Sequence, residues 1–376
     1  MKKVGIITIH NSPNYGASLQ SYALYKYIEQ SGYDCEVIDL HRPCYDDFVP
    51  SKKYVPYRES KLKGLKQIIK KIIGRKDKFY SEGAKIKFDA FNAQIKMSRP
   101  YCGIDELYAN PPYYDIYISG SDQLWNPAQP YCLEPYFLTF APRGTKKLAY
   151  ATSIGITELT DKEKSDFRNW LSSYDAISVR ERQAKILLES FIGREVKQEL
   201  DPTFLLDINY WKSLAIYPNL RQPYFLLFTL SYQPNILAYA LRLSQEAGIR
   251  LVSLGQLQPD AKNGEYVTVK DAGPKEFLGY LANANMVITD SFHGTVFSII
   301  MGSKNFYTYI APGNKRGSRI TDLLTLFDLK SHLLDTRLNC SYSELEKNKI
   351  NREELLAVIA KEQTDSRSFL LDNIRE

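Results

Sequence analysis

Cysteine is scarce in this chain and poorly placed to act in pairs. Five occur in 376 residues, Cys35, Cys44, Cys102, Cys132 and Cys340, with no C-x-x-C spacing among them. An odd, scattered set argues against a disulfide framework and against zinc-finger spacing, and fits a reducing compartment. Histidine is rarer still, at four residues. Long apolar runs are missing. Nothing approaches the roughly 18 apolar residues of a membrane span, and the run VGIITI after Met1-Lys2-Lys3 is short and leads into a polar loop. No secretory leader is therefore expected, and the expected location is the cytoplasm. The chain also lacks G-x-x-x-x-G-K-[ST], H-E-x-x-H, G-x-S-x-G and G-x-G-x-x-G. These absences argue against P-loop, zinc-protease, serine-hydrolase and dinucleotide chemistry, and no metal ligand set is evident.

Charge is present but unevenly placed. The net charge is +6. Lys61 to Lys78 holds eight basic residues against one acid, Asp77, which leaves the rest of the chain near −1. No nucleic-acid partner is expected from such a balance. In helical register Leu62, Leu65, Ile68, Ile69, Ile72 and Ile73 share one side of this segment. It reads as a basic amphipathic helix that docks peripherally on an anionic inner-membrane face or, alternatively, packs its apolar side on the protein.

Strand and helix patterns alternate along the chain. VGIITI, then a turn-rich loop, then the helix LQSYALYKYIEQ closed by Gly32, then YDCEVIDL make one βαβ unit. DIYIS, KLAYAT, AISV and VKQEL continue the series, and T-D-K-E at Thr160 is a capping box that opens a helix. A second series starts near Tyr224 with YFLLFTL and runs through RLVSLG, YVTVK, MVIT and NFYTYI. The expected class is α/β, with two Rossmann-like domains whose parallel sheets face a cleft. The expected divisions are residues 1–205 (with a basic helical insertion at about 51–100), residues 206–340, and a helical tail at 341–376 that packs back on the first domain.

In parallel sheets ligands bind outside the carboxyl ends of the strands. The candidates are therefore the residues just after each strand. Asn14 and Gly16 follow the first strand and let a ligand approach a helix N-terminus. Ser121, Asp122 and Trp125 in SGSDQLWNP offer a hydroxyl, a carboxylate and an aromatic face of the kind that holds a sugar. The competing explanation is a turn with Asp122 as its cap. Arg180 ends a buried strand and suits bidentate capture of an anion, unless a neighbouring acid claims it. Lys315, Arg316 and Arg319 crowd a Gly-rich loop that fits a phosphate or carboxylate. VITDSFHGTVFSII places Asp290, Ser291, His293 and Gly294 between a strand and a helix. An imidazole there is poised for proton transfer near neutrality.

The ordered set N-x-x-x-G-A-S-L-Q-S-Y-A-L, S-G-S-D-Q-L-W-N-P, A-T-S-I-G, S-V-R-E, D-P-T-F-L-L and V-I-T-D-S-F-H-G-T-V-F-S resembles the polysaccharide pyruvyl transferase family, over about residues 4–325. The resemblance implies a fold similar to the B-type glycosyltransferases. It also implies transfer of pyruvate from phosphoenolpyruvate, a co-substrate rather than a cofactor, onto two hydroxyls of a cell-surface polysaccharide precursor. His293 matches the family histidine proposed as general acid or base, with Asp122 and Asp290 as assisting carboxylates. Arg180, Ser291, Gly294, Lys315, Arg316 and Arg319 are the expected donor-binding set. Asn14, Gly16, Ser121 and Trp125 are the expected contacts to a saccharide acceptor, free or lipid-linked. Some relatives carry arginine two residues before the histidine, where Ser291 stands here, so Arg180, Arg316 or Arg319 must supply that charge. The alternatives are a nucleotide-sugar glycosyltransferase of the same architecture and a non-catalytic glycan-binding protein.

Overall fold

The computed structural model describes residues 2–10, 12–58, 81–255, 264–314 and 317–376. The basic segment Lys61–Lys78 lies outside them, as do Lys315 and Arg316. Strands β1 (Lys3–Ile7), β2 (Asp34–Val37), β3 (Ile116–Ser119), β4 (Lys146–Thr152), β5 (Ala176–Val179) and β6 (Lys197–Gln198) form a parallel sheet in the order β2-β1-β3-β4-β5-β6. Strands β7 (Tyr224–Phe228), β8 (Arg250–Leu254), β9 (Val267–Val269), β10 (Met286–Thr289) and β11 (Phe306–Thr308) form a second, in the order β11-β10-β7-β8-β9. β3, β7 and β10 are buried at every position. That suits strands covered by helices on both faces, which read as continuous apolar runs rather than as alternation. The fold is the expected pair of facing Rossmann-like units.

Strand order reverses between β1 and β3 in the first sheet and between β7 and β10 in the second. A crevice opens at each reversal, beyond the strand ends. The two reversal points face one another, and so the four loops that follow β1, β3, β7 and β10 meet in one cleft.

The two halves share buried apolar contacts. One continuous cluster includes Val4, Tyr15 and Leu19 from the first half and Phe277, Val296 and Phe297 from the second. Tyr15 stacks on Phe277 with centroids 4.4 Å apart, and its hydroxyl donates to the Ala272 carbonyl at 2.8 Å. The tail is a short helix, Tyr342–Leu345, followed by the 24-residue helix Arg352–Arg375, and so is not continuously helical. Arg352 at the start of the long helix donates to the Ser303 carbonyl of the second half. Near its far end, Ser366 accepts from the Leu200 amide at 3.0 Å, and Lys2 donates to the Arg375 carbonyl at 2.7 Å. No helix among the described residues is long and apolar enough to cross a membrane.

Candidate active site

The cleft has a volume of about 690 Å³. Asn14 lines it from the loop after β1, Asp122 from the loop after β3, Leu230 from the loop after β7, and Asp290 to His293 from the end of β10. Gly313, Asn314 and Arg319 close one side.

Three helices begin at this cleft. The first, Tyr15–Gln30, is capped by Asn14, whose side chain accepts from the Ala17 amide at 3.1 Å. The second is Phe292–Ile300, and the third is Ser318–Leu326, which carries Arg319 in its first turn. Helix N-termini present free amides and a positive dipole end, so the cleft favours an anion.

The sequence pattern predicts that the second helix starts at Gly294. It starts two residues earlier, because Ser291 is the N-cap and its hydroxyl accepts from the Gly294 amide at 3.1 Å. Ser291 therefore occupies itself with the helix, and His293 is the helix's second residue. Gly294 is buried against β10, where a Cβ would collide with Thr289 Oγ1. Its role is close packing.

His293 is 8% exposed. Its Nε2 lies 3.4 Å from Asp201 Oδ2, a pairing distance rather than a formed hydrogen bond. Its Nδ1 is held against the entrance of the first helix. A Cβ on Gly16 would fall inside contact distance of Nδ1, Cγ and Cε1, so glycine there is what lets the ring sit between the two halves.

Asp201 opens the D-P-T-F-L-L motif but is not among the site residues expected from the sequence. It follows β6, is 2% exposed, and accepts from Arg180 Nη1 at 2.5 Å and from Thr203 Oγ1 at 2.7 Å. Burial alone would raise its pKa. The His293 ring and the Arg180 guanidinium overcome that and hold the carboxyl well below its usual range. A carboxylate only accepts. Nε2 is therefore the ring nitrogen whose proton Asp201 favours, and Nδ1 lies on the Gly16 side of the ring.

Arg180 requires a correction. Its Nη1 is given to Asp201, and its Nη2 lies 3.7 Å from Asp122 Oδ1. The guanidinium is buried between two carboxylates, with Nε and Nη2 making no hydrogen bond, and it does not line the cleft. It also lies over Phe292, with Cζ 4.4 Å from the ring centroid. Arg319 lies 5.5 Å from the same centroid and lines the cleft. With its amide oriented to satisfy both partners, Gln123 accepts from Arg319 Nη2 at 3.0 Å. Among the described residues Arg319 is the guanidinium placed to meet an anion in the cleft. Phe292 and Gln123, neither singled out by the sequence, hold it.

Asp122 faces the cleft from a left-handed turn with φ 73°, a conformation that Asp tolerates better than most residues. Its carbonyl accepts from the Ser153 amide at 2.9 Å, and its Oδ1 accepts from the Gln123 amide at 2.8 Å. Asp290 accepts from the Leu230 amide at 2.7 Å and from the Gln233 side chain. Burial, partly countered by the Leu230 amide, pushes its carboxyl up to about 6.

Two expected acceptor contacts lie elsewhere. Trp125 is fully buried, stacked on Phe137 at 4.8 Å, and its Nε1 donates to the Tyr136 carbonyl at 3.0 Å. Ser121 is also fully buried and donates to the Ala151 carbonyl at 2.6 Å. Both belong to the core beneath the cleft. The one group of three metal-type ligands among the described residues, His41, Asp47 and Cys102, lies outside the cleft lining.

A family model described as polysaccharide pyruvyl transferase matches residues 14–306. No curated protein matches the sequence. Among solved structures the chain resembles UDP-N-acetylglucosamine 2-epimerase from Rickettsia bellii, with a TM-score of 0.54 and 10% identity, covering 100% of this chain and 96% of that one. It also resembles UGT89C1 of Arabidopsis thaliana in complex with UDP-L-rhamnose, with a TM-score of 0.53 and 12% identity, covering 99% and 98%. At these identities the likeness shows the fold alone, that of the B-type glycosyltransferases and related epimerases.

Proposed function

The chain belongs to the polysaccharide pyruvyl transferase family, and on that premise we propose that it moves pyruvate from phosphoenolpyruvate onto two hydroxyls of a saccharide, as a ketal, with release of phosphate. The observation that carries this reading is the cleft's pairing of a proton-transfer group with an anion site. His293 and Arg319 line one cavity at which three helices begin.

The atoms balance without a redox partner. One sugar hydroxyl adds to the enol carbon while the methylene carbon gains a proton. The C–O bond to phosphate then breaks, and the second hydroxyl closes the ketal. Of the two hydroxyl protons, one is matched by the proton now on the methyl group and the other leaves with phosphate. The donor carries a carboxylate and a phosphate, which suit Arg319 and the helix N-termini. His293 Nδ1 is the proton-transfer atom. Asp201 fixes its tautomer and stabilises the imidazolium when Nδ1 takes a proton. Asp290, with its raised pKa, and Asp122 are the carboxyl groups available to assist. The acceptor enters along the Asn14–Gly16 side.

The test is incubation with phosphoenolpyruvate and extracted lipid-linked oligosaccharides, with phosphate release and the mass of the saccharide as readouts. A pyruvyl ketal formed together with phosphate is the expected result. Consumption of a nucleotide sugar, with no phosphate released from phosphoenolpyruvate, would overturn the reading.

A further inference from the structure

A second cavity, of about 370 Å³, opens beside the end of β2. Phe48, Tyr54, Val55, Tyr131 and Tyr136 are among its walls, and Arg42 lines it as well. Its character is opposite to that of the cleft, being mainly proline, tyrosine and aliphatic surface.

Arg42 is the anomaly. It is only 9% exposed, yet no carboxylate among the described residues pairs with it. Its Nη2 donates to the His10 carbonyl at 3.0 Å, and its Nε has no hydrogen-bond partner. Of the other two buried arginines, Arg180 has two carboxylates and Arg319 lines the cleft. Asp39 is close by in sequence, but His10 and His41 occupy it at 2.9 Å and 3.5 Å. What surrounds Arg42 is phenolic rather than carboxylate: Tyr136, Tyr131 and Tyr45, the last hydrogen-bonded to its side chain. The Tyr131 hydroxyl is itself buried without a partner. Withdrawing a guanidinium from water without a counter-charge is unfavourable. An anion reaching the cavity would offset that cost, and the apolar walls would hold whatever is attached to it.

We propose that this cavity is a second binding site, for a ligand that joins one carboxylate or phosphate group to an apolar body. The anion meets Arg42, and the body lies on Phe48, Tyr54 and Val55. The site is mechanically continuous with the cleft, because Arg42 holds the carbonyl of His10 and the same loop runs on to Asn14. The ligand is thus either an apolar, anionic extension of the molecule bound in the cleft or a separate small molecule with the same chemistry.

The experiment is calorimetric titration of the full chain with n-octyl phosphate, n-octanoate, inorganic phosphate and n-octanol. Octyl phosphate and octanoate are expected to saturate one site at least about tenfold more tightly than phosphate or octanol. Arg42→Met should weaken octyl phosphate binding by about tenfold or more, the loss of one charge-assisted contact. Because Arg42 also braces His10, Val55→Trp at the exposed rim provides an independent block that leaves Arg42 in place. Absence of saturable binding, or equal binding by wild type and both variants, overturns the proposal. None of these measurements requires pyruvyl transfer, so they stand or fall apart from the proposed reaction. Where transfer is measured, octyl phosphate that raises the KM for lipid-linked acceptor assigns the site to the acceptor. Binding without such competition assigns it to a separate molecule.

Discussion

Gly16 is the residue on which the site's geometry turns, although it carries no chemistry. The His293 ring occupies the space in which any side chain at position 16 would stand. Gly16→Ala should therefore displace the imidazole. Activity is expected to fall by about 10²-fold, the scale of misplacing a reacting group by an ångström, and far-UV circular dichroism should be unchanged. Retention of full activity would mean that the ring's position is not critical. Arg319 makes the second prediction at this scale. Arg319→Met keeps the side chain's length over Phe292 and removes its charge. Loss of a charged contact worth about 1.5–3 kcal/mol should raise the KM for phosphoenolpyruvate by about tenfold to a hundredfold, measured by phosphate release. Asp201 shows what residue-by-residue reading misses. The strand VKQEL before it is legible and the rule that selects strand ends applies to it, but nothing in the sequence pairs Asp201 with Arg180 and with His293 of the other half. Trp125 failed for the opposite reason. Its loop looks exposed in sequence, and only the return of Phe137 and Tyr136 over it makes it core.

At the level of elements, strands were legible because a buried parallel strand is an unbroken apolar run, and β3, β7 and β10 are of that kind. Helix starts were legible where a cap has its full pattern, as at Thr160, whose side chain and Glu163 make the reciprocal bonds. The start at Phe292 was not, since Ser291 caps without a glutamate partner. The long tail helix contributes a pH dependence. Ser366 on it donates to Glu199 Oε2 at 2.6 Å. Burial first, with Asp365 and Glu362 adding to it, pushes the Glu199 carboxyl up to about 7 despite that hydrogen bond. The folded chain then holds this proton more tightly than the unfolded one. The stabilising contribution is complete below about 4.5 and is lost as pH rises through about 7. Glu199→Gln keeps an acceptor for Ser366 and removes the titration. Its Tm relative to wild type should rise by about 2–4 °C between mildly acidic and mildly alkaline buffer, measured by scanning fluorimetry. A constant difference across that range would show that Glu199 does not titrate there.

For the whole molecule, the decisive fact is that the apolar cluster crosses between the two halves. Two units joined only by a cleft would be free to unfold separately. Here Tyr15, Phe277 and Phe297 belong to one core, so a single calorimetric transition is expected, with equal calorimetric and van't Hoff enthalpies. Tyr15→Ala should cost about 3–5 kcal/mol, lower Tm, and resolve the endotherm into two. A single endotherm in the variant would place the coupling elsewhere, with the tail helix that contacts both halves as the next candidate.

That shared core also bears on how the protein is made. The face of the first helix that carries Tyr15, Leu19 and Tyr22 is finished early in synthesis, but Phe277 and Phe297 emerge some 250 residues later. At about 5–20 residues per second, a ribosome leaves that greasy face uncovered for roughly 12–50 seconds. The nascent chain should then be a client of ribosome-associated chaperones, and its N-terminal half expressed alone should aggregate.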